Sequence, residues 1–349
     1  MKIGNRQIGS GQPAYFIAEM SANHKQDFNQ AVRILSAAHD AGADAVKLQT
    51  YTADTITIDC ASDYFQIGKG SLWEGKNLYK LYAEAFTPWD WQPKLKQVAD
   101  ELGLALFSTP FDNSAVDFLE DMGVPAYKIA SFELVDTGLL RKVAATGKPV
   151  IMSTGMATLG EIDEAVRTLR EAGCRQLALL KCTSAYPSPP EEMNLRTIPH
   201  LAQAFDVPVG LSDHTLGIAA PVAAVAMGAC IVEKHLTLSR SVPGPDSAFS
   251  LEPQEFKAML DAVRIAEKAL GTVNYELTES EVASRVFRRS LFAVRNVKAG
   301  EAFTTEHVRS IRPSYGLHPR HLNDVIGRRA TRDIERGTPL TWELVGHRD

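Results

Sequence analysis

Apolar runs rich in β-forming residues alternate along the chain with amphipathic stretches, and this alternation restricts the possible folds more than any other feature. The apolar runs occupy residues 14–20, 45–50, 104–110, 126–131, 149–154, 177–182, 207–214 and 230–237. Continuous apolar character is expected of parallel strands that are covered on both faces. Helical periodicity separates them, most clearly at residues 28–42, 161–173 and 253–271. Eight β-then-α units in about 250 residues predict an α/β fold, the (β/α)₈ TIM barrel.

A doubly wound open sheet is the competing architecture. Its dinucleotide-binding version requires a G-x-G-x-x-G turn between a strand and a helix. None of the predicted strands leads into such a turn. The barrel is therefore favoured, and its functional residues are expected at the carboxyl ends of the strands.

One connection is too long for a simple strand-to-helix loop. Residues 51–90, between the second and third predicted strands, carry the aromatic side chains Trp73, Tyr79, Tyr82, Phe86 and Trp89. A long aromatic insert on the loop face of a barrel is a candidate lid or specificity element. The alternative is that these aromatics only pack the insert onto the barrel.

The residue pattern changes after Gly271. Residues 288–349 combine short β-like runs, turns and many arginines, and a polar segment precedes them. We expect a barrel domain at 1–271, a linker at 272–287 and a small, mostly β domain at 288–349. The basic character of this last domain suits either a polyanion or the covering of an anionic substrate in the barrel mouth.

Composition excludes several classes of partner and compartment. The net charge of −5 and the pI near 6.0 argue against nucleic acid and membrane surfaces as partners. No apolar run has the length of a membrane span or the form of a signal peptide, so we expect a cytoplasmic protein. The four cysteines are scattered, and a disulfide framework is not expected; Cys182 and Cys230 should lie in the core or beside a site.

Polar residues end nearly every predicted strand. They are Glu19, Lys47, Gln49, Ser108, Thr109, Lys128, Ser131, Ser153, Ser212, Asp213, His214, Glu233 and His235. A strand interior holds a lysine only beside a partner, because a buried unpaired ammonium group is costly. Lys47 and Lys128, with the hydroxyls and the Gly155 turn, predict a cradle for a phosphate and a carboxylate. The alternative is that the two lysines form structural ion pairs with Glu19 or Glu233.

Two histidines close adjacent predicted strands. Imidazoles of His214 and His235, on neighbouring strands roughly 5 Å apart, could share one divalent ion. Two imidazoles without a thiolate leave positions open for water and a substrate oxygen, which suits a Lewis-acid site. The alternative for each histidine alone is a hydrogen-bonded core residue.

An ordered series of motifs covers essentially the whole chain. The motifs are IAEMSANH (17–24), VKLQT (46–50), FSTPFD (107–112), YKIASFE (127–133), STGMA (153–157), CTSAYPSPPEEMNL (182–195), GLSDHT (210–215), EKHLTL (233–238) and PGPDSAFSL (243–251). This series resembles the sialic-acid synthase family, whose members condense phosphoenolpyruvate with N-acetylated amino sugars. Residues 288–345 look like the antifreeze-like SAF domain of that family. The resemblance implies a domain-swapped homodimer in which an arginine, here Arg312, reaches the sugar site of the partner.

The resemblance also implies roles for individual residues. His214 and His235 match the metal ligands, and the ion is expected to be Mn²⁺, with Mg²⁺ or Co²⁺ as alternatives. Residues that match those holding phosphoenolpyruvate are Lys47, Thr109, Lys128, Ser131, Ser153 and Ser212. Residues that match those around the sugar or the reacting centre are Glu19, Gln49, Glu133, Tyr186, Asp246 and Phe287. Ser184 departs from the family's usual Asn, although its hydroxyl could still touch the phosphate.

Three segments look most like the pseudaminic acid synthase branch: AEMSANH (18–24), the insert at 72–92 and RPSYGLHP (312–319). This implies 2,4-diacetamido-2,4,6-trideoxy-L-altrose as the sugar aldehyde, and an aromatic insert suits a sugar that is less polar than N-acetylmannosamine. N-acetylneuraminate or legionaminate synthesis by the same chemistry is the nearest alternative. Synthases of seven- or eight-carbon keto acids are disfavoured because they have no SAF-like domain. A non-catalytic carbohydrate-binding protein is the alternative from another functional class.

Overall fold

The computed structural model describes residues 1–68 and 72–348 of the chain. The described chain divides into two compact units, one from Met1 to Gly271 and the other from Thr272 onward. The segment 272–287, predicted as a linker, belongs to the second unit and contains a short helix at Glu279–Ser284. Each unit has its own hydrophobic core.

The first unit is a parallel barrel. A hairpin of β1 (Lys2–Ile3) and β2 (Arg6–Gln7) precedes it. Among the described residues, eight parallel strands then close on themselves, with β10 paired to both β9 and β3. These strands are β3 (Tyr15–Glu19), β4 (Ala45–Thr50), β5 (Ala105–Pro110), β6 (Tyr127–Ile129), β7 (Val150–Ser153), β8 (Leu177–Cys182), β9 (Val209–Asp213) and β10 (Ile231–His235). The barrel prediction is therefore confirmed, and each apolar run contains one of its strands.

Helices surround the strands. They are α1 (Phe28–Ala41), α2 (Ala53–Ile56), α3 (Leu78–Ala85), α4 (Gln92–Glu101), α5 (Asn113–Met122), α6 (Thr137–Ala145), α7 (Leu159–Glu171), α8 (Thr197–Phe205), α9 (Ala219–Ala226) and α10 (Pro253–Leu270). The start and end of α1 follow from its sequence. The Asp27 side chain accepts the backbone N–H groups of Asn29 and Gln30, and Gly42 ends the helix at φ 91°, in the left-handed region that favours glycine. No helix among the described residues combines the length and apolar character needed to cross a bilayer.

The second unit contains α11 (Glu279–Ser284), β11 (Ser290–Ala293), β12 (Val308–Ile311), α12 (Leu322–Val325), β13 (Arg328–Ala330) and β14 (Val345–Arg348). Strand β11 pairs with β12 and β13 with β14, both antiparallel. Its core includes Leu291, Val297, Phe303, Val325 and Leu340. The mostly β character expected of this region is observed.

Side chains alternate between the two faces of each barrel strand. Lys128 on β6 contacts Glu233 on β10, across the barrel interior, so the residues in phase with them face inward. Ser108 and Asp213 lie out of phase. The Ser108 hydroxyl is 2.6 Å from that of Thr50, which donates to Gln92 of the surrounding helix α4. The expectation that Ser108 and Asp213 face the barrel mouth is therefore wrong.

Two aromatic residues of the insert, Trp89 and Tyr82, pack it against the barrel. The Trp89 indole N–H donates to the Tyr51 carbonyl, and its ring lies 4.8 Å from that of Phe118 on α5. Tyr82 makes an edge contact with Tyr51. The packing alternative thus holds for these residues, whereas Trp73 contacts other loops of the barrel mouth.

Candidate active site

Four charged side chains meet inside the barrel; we refer to Glu19, Lys47, Lys128 and Glu233 as the charge cluster. The Lys47 ammonium is 2.9 Å from Glu19 Oε2 and 3.3 Å from Glu233 Oε1. The Lys128 ammonium is 3.2 Å from the same Glu233 oxygen. At most 5% of any of these side chains is exposed. The ion pairs expected as an alternative exist, and they gather both lysines at one point of the barrel.

Burial and mutual charge shift the cluster in different directions. Burial raises the pKa of Glu19 to about 7, although Lys47 opposes the shift. Burial alone would raise the pKa of Glu233, but the ammonium groups of Lys128 and Lys47 hold it below its ordinary value. Burial lowers the pKa of Lys128 against the pull of Glu233. Among the described residues, Lys128 donates to Glu233 alone, so its remaining N–H groups can serve a further anion.

The hydroxyl side chains of Ser131, Ser153 and Ser184 lie around the Gly155 turn, and we refer to these four residues as the recess. The Gly155 N–H donates to Ser131 Oγ at 3.0 Å, and the buried Ser153 hydroxyl has no hydrogen-bond partner among the described residues. A Cβ atom on Gly155 would lie 2.7 Å from Ser131 Oγ and still closer to Ser184 Oγ. An alanine at this position fits only if both serine hydroxyls shift. The recess combines hydroxyl groups with a closely approaching glycine backbone, and such an arrangement can accommodate an oxyanion.

Thr109 and Ser212 attach to the charge cluster. Lys47 donates to Thr109 Oγ1 at 3.3 Å, and Ser212 Oγ donates to Glu233 Oε1 at 3.4 Å. Both residues are buried. Both strand-end hydroxyls thus contact a member of the charge cluster.

The two histidines lie side by side at the ends of β9 and β10. Their ring centroids are 5.3 Å apart, and both rings are buried. His214 Nδ1 is 3.1 Å from the Thr183 carbonyl, which can only accept, so this nitrogen donates and, in the neutral ring, Nε2 keeps a lone pair. His235 Nδ1 is buried without a partner in the described chain, and burial holds the pKa of His235 well below its usual range.

These imidazoles fit a divalent cation by their chemistry. A neutral imidazole nitrogen is a common ligand for transition metals, and a carbonyl that binds the other ring nitrogen orients the ligand. Within residues 1–68 and 72–348, no group of three or more His, Cys, Asp or Glu side chains is arranged to hold a metal ion. The metal prediction therefore depends on His214 and His235 alone.

Cys182 borders the same place. Its Sγ lies 3.9 Å from His214 Nδ1 and 3.9 Å from Ser184 Oγ. Burial alone would raise the pKa of this thiol, but its contacts with His214 and Ser131 lower it to about 7. Cys182 is therefore a neighbour of the site, one of the two positions expected from its sequence context.

A chain of hydrogen bonds connects β3 and β4 to the loop after β10. Gln49 donates to Glu19 Oε1 at 2.9 Å and to Ser21 Oγ at 3.0 Å, and the Ser21 hydroxyl donates to Asp246 Oδ2 at 2.5 Å. Burial raises the pKa of Asp246. Ser21 was missed by the sequence analysis. Its φ of 44° belongs to a turn that periodicity does not detect.

An aromatic wall, made of Trp73, Tyr186 and Phe249, flanks the histidines. The Tyr186 ring lies 4.4 Å from that of His214, 5.2 Å from Phe249 and 5.7 Å from Trp73. The Trp73 indole N–H donates to the Pro245 carbonyl at 3.1 Å. The wall therefore joins three loops, and Phe249 is a member that sequence reasoning missed.

Glu133 follows β6 in a short 3₁₀ helix, Ser131–Glu133. Its Oε2 atom is buried and has no hydrogen-bond partner among the described residues, and burial raises its pKa to about 7. Phe287 and Arg312 belong to the second unit, where both are exposed. Their place in the sugar site of a partner chain stays a prediction.

Two models of known families match the chain. The model described as the NeuB family matches residues 34–275, and that described as the SAF domain matches residues 288–346. The NeuB match covers more than half of the chain.

Known proteins resemble the chain over most of its length. It is 46% identical over 340 residues to a pseudaminic acid synthase of Campylobacter jejuni subsp. jejuni serotype O:23/36 (strain 81-176), covering 97% of this chain and 98% of that one. It is 42% identical to a pseudaminic acid synthase of Helicobacter pylori (strain ATCC 700392 / 26695), covering 95% and 97%. The crystal structure of an N-acetylneuraminic acid synthetase from Leptospira borgpetersenii serovar Hardjo-bovis matches with a TM-score of 0.72 at 32% identity, covering 81% and 94%.

The buried carboxyl of Glu133 gives a pH-dependent prediction. Its raised pKa means that the folded protein favours the protonated form, so stability falls as pH rises from the ordinary value of 4.5 through about 7. Glu133→Gln removes this loss. Relative to the parent, the variant should gain on the order of 2 kcal/mol between pH 5 and pH 8, measured by urea unfolding. Glu164→Gln, at an exposed position of α7, controls for the residue change. A difference that does not vary with pH would contradict the assignment.

Proposed function

Because the chain belongs to the NeuB family and is a phosphoenolpyruvate-dependent synthase, a transferase, we propose that it is a pseudaminic acid synthase. The proposed reaction condenses phosphoenolpyruvate with 2,4-diacetamido-2,4,6-trideoxy-L-altrose, breaks a C–O bond and releases phosphate. One observation carries it: two buried lysines, two buried carboxylates and a recess of hydroxyl groups converge at the end of the barrel where two imidazoles lie.

The proposed anion site is formed by the lysines and hydroxyls. Lys47 and Lys128 would neutralise the phosphate and carboxylate of phosphoenolpyruvate, with Thr109 and Ser212 beside them. In the recess of Ser131, Ser153, Gly155 and Ser184, the serine hydroxyls would donate hydrogen bonds to phosphate oxygens. Its support is the unpartnered Ser153 hydroxyl and the two ammonium groups that share one carboxylate oxygen. Charge-assisted hydrogen bonds to a phosphate are stronger than neutral ones.

His214 and His235 are the proposed ligands of a divalent ion, Mn²⁺ first and Mg²⁺ or Co²⁺ as alternatives. Such an ion supplies Lewis-acid polarisation of the aldehyde oxygen. The chain itself orients both ligands: the Thr183 carbonyl holds the His214 ring, and Phe249 packs edge-on against His235.

The residues of the chain then bring the reactants together and move protons. Carbon 3 of phosphoenolpyruvate attacks the aldehyde carbon, a water adds to carbon 2, and the bond from carbon 2 to the phosphate oxygen breaks. Glu19 and Glu133 have pKa values raised to about 7 by burial, so either carboxyl group can exchange a proton near neutral pH. Gln49 holds the Glu19 carboxylate at 2.9 Å and fixes its orientation. The site would also accelerate the reaction by holding both reactants in the geometry for attack.

The sugar is proposed to lie against the aromatic wall. Tyr186 and Trp73 offer an apolar surface to the 6-deoxy end of the sugar, and Asp246 offers a polar group held by Ser21. We also propose a cytoplasmic homodimer in which Phe287 and Arg312 complete the sugar site of the partner chain. The SAF match and the exposure of both side chains support this proposal.

A substrate panel tests the function. The protein should release phosphate from phosphoenolpyruvate fastest with the diacetamido-trideoxy-altrose, and slower with N-acetylmannosamine or the legionaminate precursor. Mass spectrometry should identify the nine-carbon product, and a chelator should stop the release until the ion is restored. Preference for another aldehyde would assign a different acid. Tight sugar binding without phosphate release would favour the carbohydrate-binding alternative.

Gly155→Ala tests the anion recess. The added methyl group would overlap Ser131 and Ser184, and the displacement should raise KM for phosphoenolpyruvate about 10- to 100-fold. Gly160→Ala, in the first turn of α7, is the matched control, since the nearest atom to its new Cβ is 4.0 Å away. Steady-state kinetics measure both. An unchanged KM in Gly155→Ala would remove this recess from the phosphate site.

Trp73→Ala tests the aromatic wall as a determinant of sugar choice. Loss of the indole should raise KM for the trideoxy sugar about tenfold and leave KM for phosphoenolpyruvate unchanged. Tyr64→Ala changes an exposed aromatic residue of the same insert and should alter neither constant. Equal effects on both substrates would indicate a general structural role for Trp73.

A further inference from the structure

A second buried ion pair lies on the other face of the two strands that carry the histidines. We call Asp213 and Lys234 the outer-face pair. Lys234 Nζ is 2.5 Å from Asp213 Oδ2, and neither side chain is exposed at all. The two residues are direct partners in the register of β9 and β10. The reaction proposed above uses neither of them.

The outer-face pair fixes the turn that carries His214. Asp213 Oδ1 accepts the Thr215 N–H at 3.0 Å, and Oδ2 accepts the Thr215 hydroxyl at 3.1 Å. Lys234 also donates to the Thr215 carbonyl. The residues on both sides of His214 are therefore bound by one ammonium group on the neighbouring strand.

Each member of the pair is followed directly by one of the proposed ligands. His214 follows Asp213, and His235 follows Lys234. Because successive strand residues point to opposite faces, the ion pair holds the strand ends together from behind while the imidazoles lie in front, 5.3 Å apart. The ion pair thus lies directly behind the two strand ends that carry the rings.

Stability alone does not account for such a pair. Replacing a buried ion pair by apolar side chains of similar volume is often neutral or stabilising, because taking both charges out of water is costly. A geometric role explains the burial of this ion pair better. Mutation of residues that support metal ligands typically changes metal affinity about 10- to 100-fold. From this arrangement we propose that Asp213 and Lys234 are positioning residues that set the spacing of His214 and His235 for a divalent ion. The proposal rests on the assignment of these histidines as ligands.

The test removes both charges together and measures binding of Mn²⁺ alone to the full-length protein. Asp213→Asn/Lys234→Met keeps an acceptor for Thr215 and leaves no unpaired charge. Titration of free Mn²⁺ by electron paramagnetic resonance should give a dissociation constant about tenfold above that of the parent. The urea midpoint should change little. Thr50→Val, which removes a buried outer-face hydroxyl on β4, is the matched control and should keep the affinity of the parent.

Thr215→Val keeps both charges and removes one hydrogen bond to Asp213. If the double variant does not fold, this variant tests the positioning role in the same way. A few-fold loss of Mn²⁺ affinity is expected there. Affinity equal to that of the parent in the folded variants would overturn the positioning role, while loss of binding in His214→Ala would still support the ligand assignment. Should the parent itself fail to bind Mn²⁺, or bind it as well after His214→Ala, the ligand assignment and this proposal both fail.

Discussion

The charge cluster of Glu19, Lys47, Lys128 and Glu233 is the constraint on which the rest of the barrel interior depends. Four ionisable groups removed from water cost several kcal/mol each unless they are paired closely. Their mutual contacts of 2.9–3.3 Å supply that pairing, yet one oxygen of Glu233 must serve two ammonium groups. The two positive and two negative charges balance, and the N–H groups of Lys128 that Glu233 does not use are the donors proposed for an anionic substrate.

The inward and outward faces of β9 and β10 carry different groups of charged residues. Glu233 and His235 point inward, where they contact the charge cluster and the aromatic wall, while Lys234 points outward and pairs with Asp213. The inner ion pairs lie where the substrate is proposed to bind, and the outer ion pair is buried behind the strands. Both depend on the same register between β9 and β10, so a one-residue slip would exchange their faces and destroy the site.

Much of this could be predicted from the sequence. Apolar runs identify all eight barrel strands because parallel strands are covered on both faces, and polar strand ends identify Lys47, Lys128 and both histidines. Strand ends alone do not reveal phase, so Ser108 and Asp213 were expected on the wrong face. Ser21 and Phe249 come from turns and short 3₁₀ segments without periodicity, and only the folded chain brings them to the site.

A crystal structure of the protein with phosphoenolpyruvate and Mn²⁺ tests the central claim most directly. The account predicts the phosphate within hydrogen-bond distance of Ser131, Ser153 or the Gly155 backbone, the carboxylate beside Lys47 or Lys128, and the ion on His214 and His235. A ligand bound with both lysines still paired only to Glu19 and Glu233, and with its phosphate outside the recess, would contradict it.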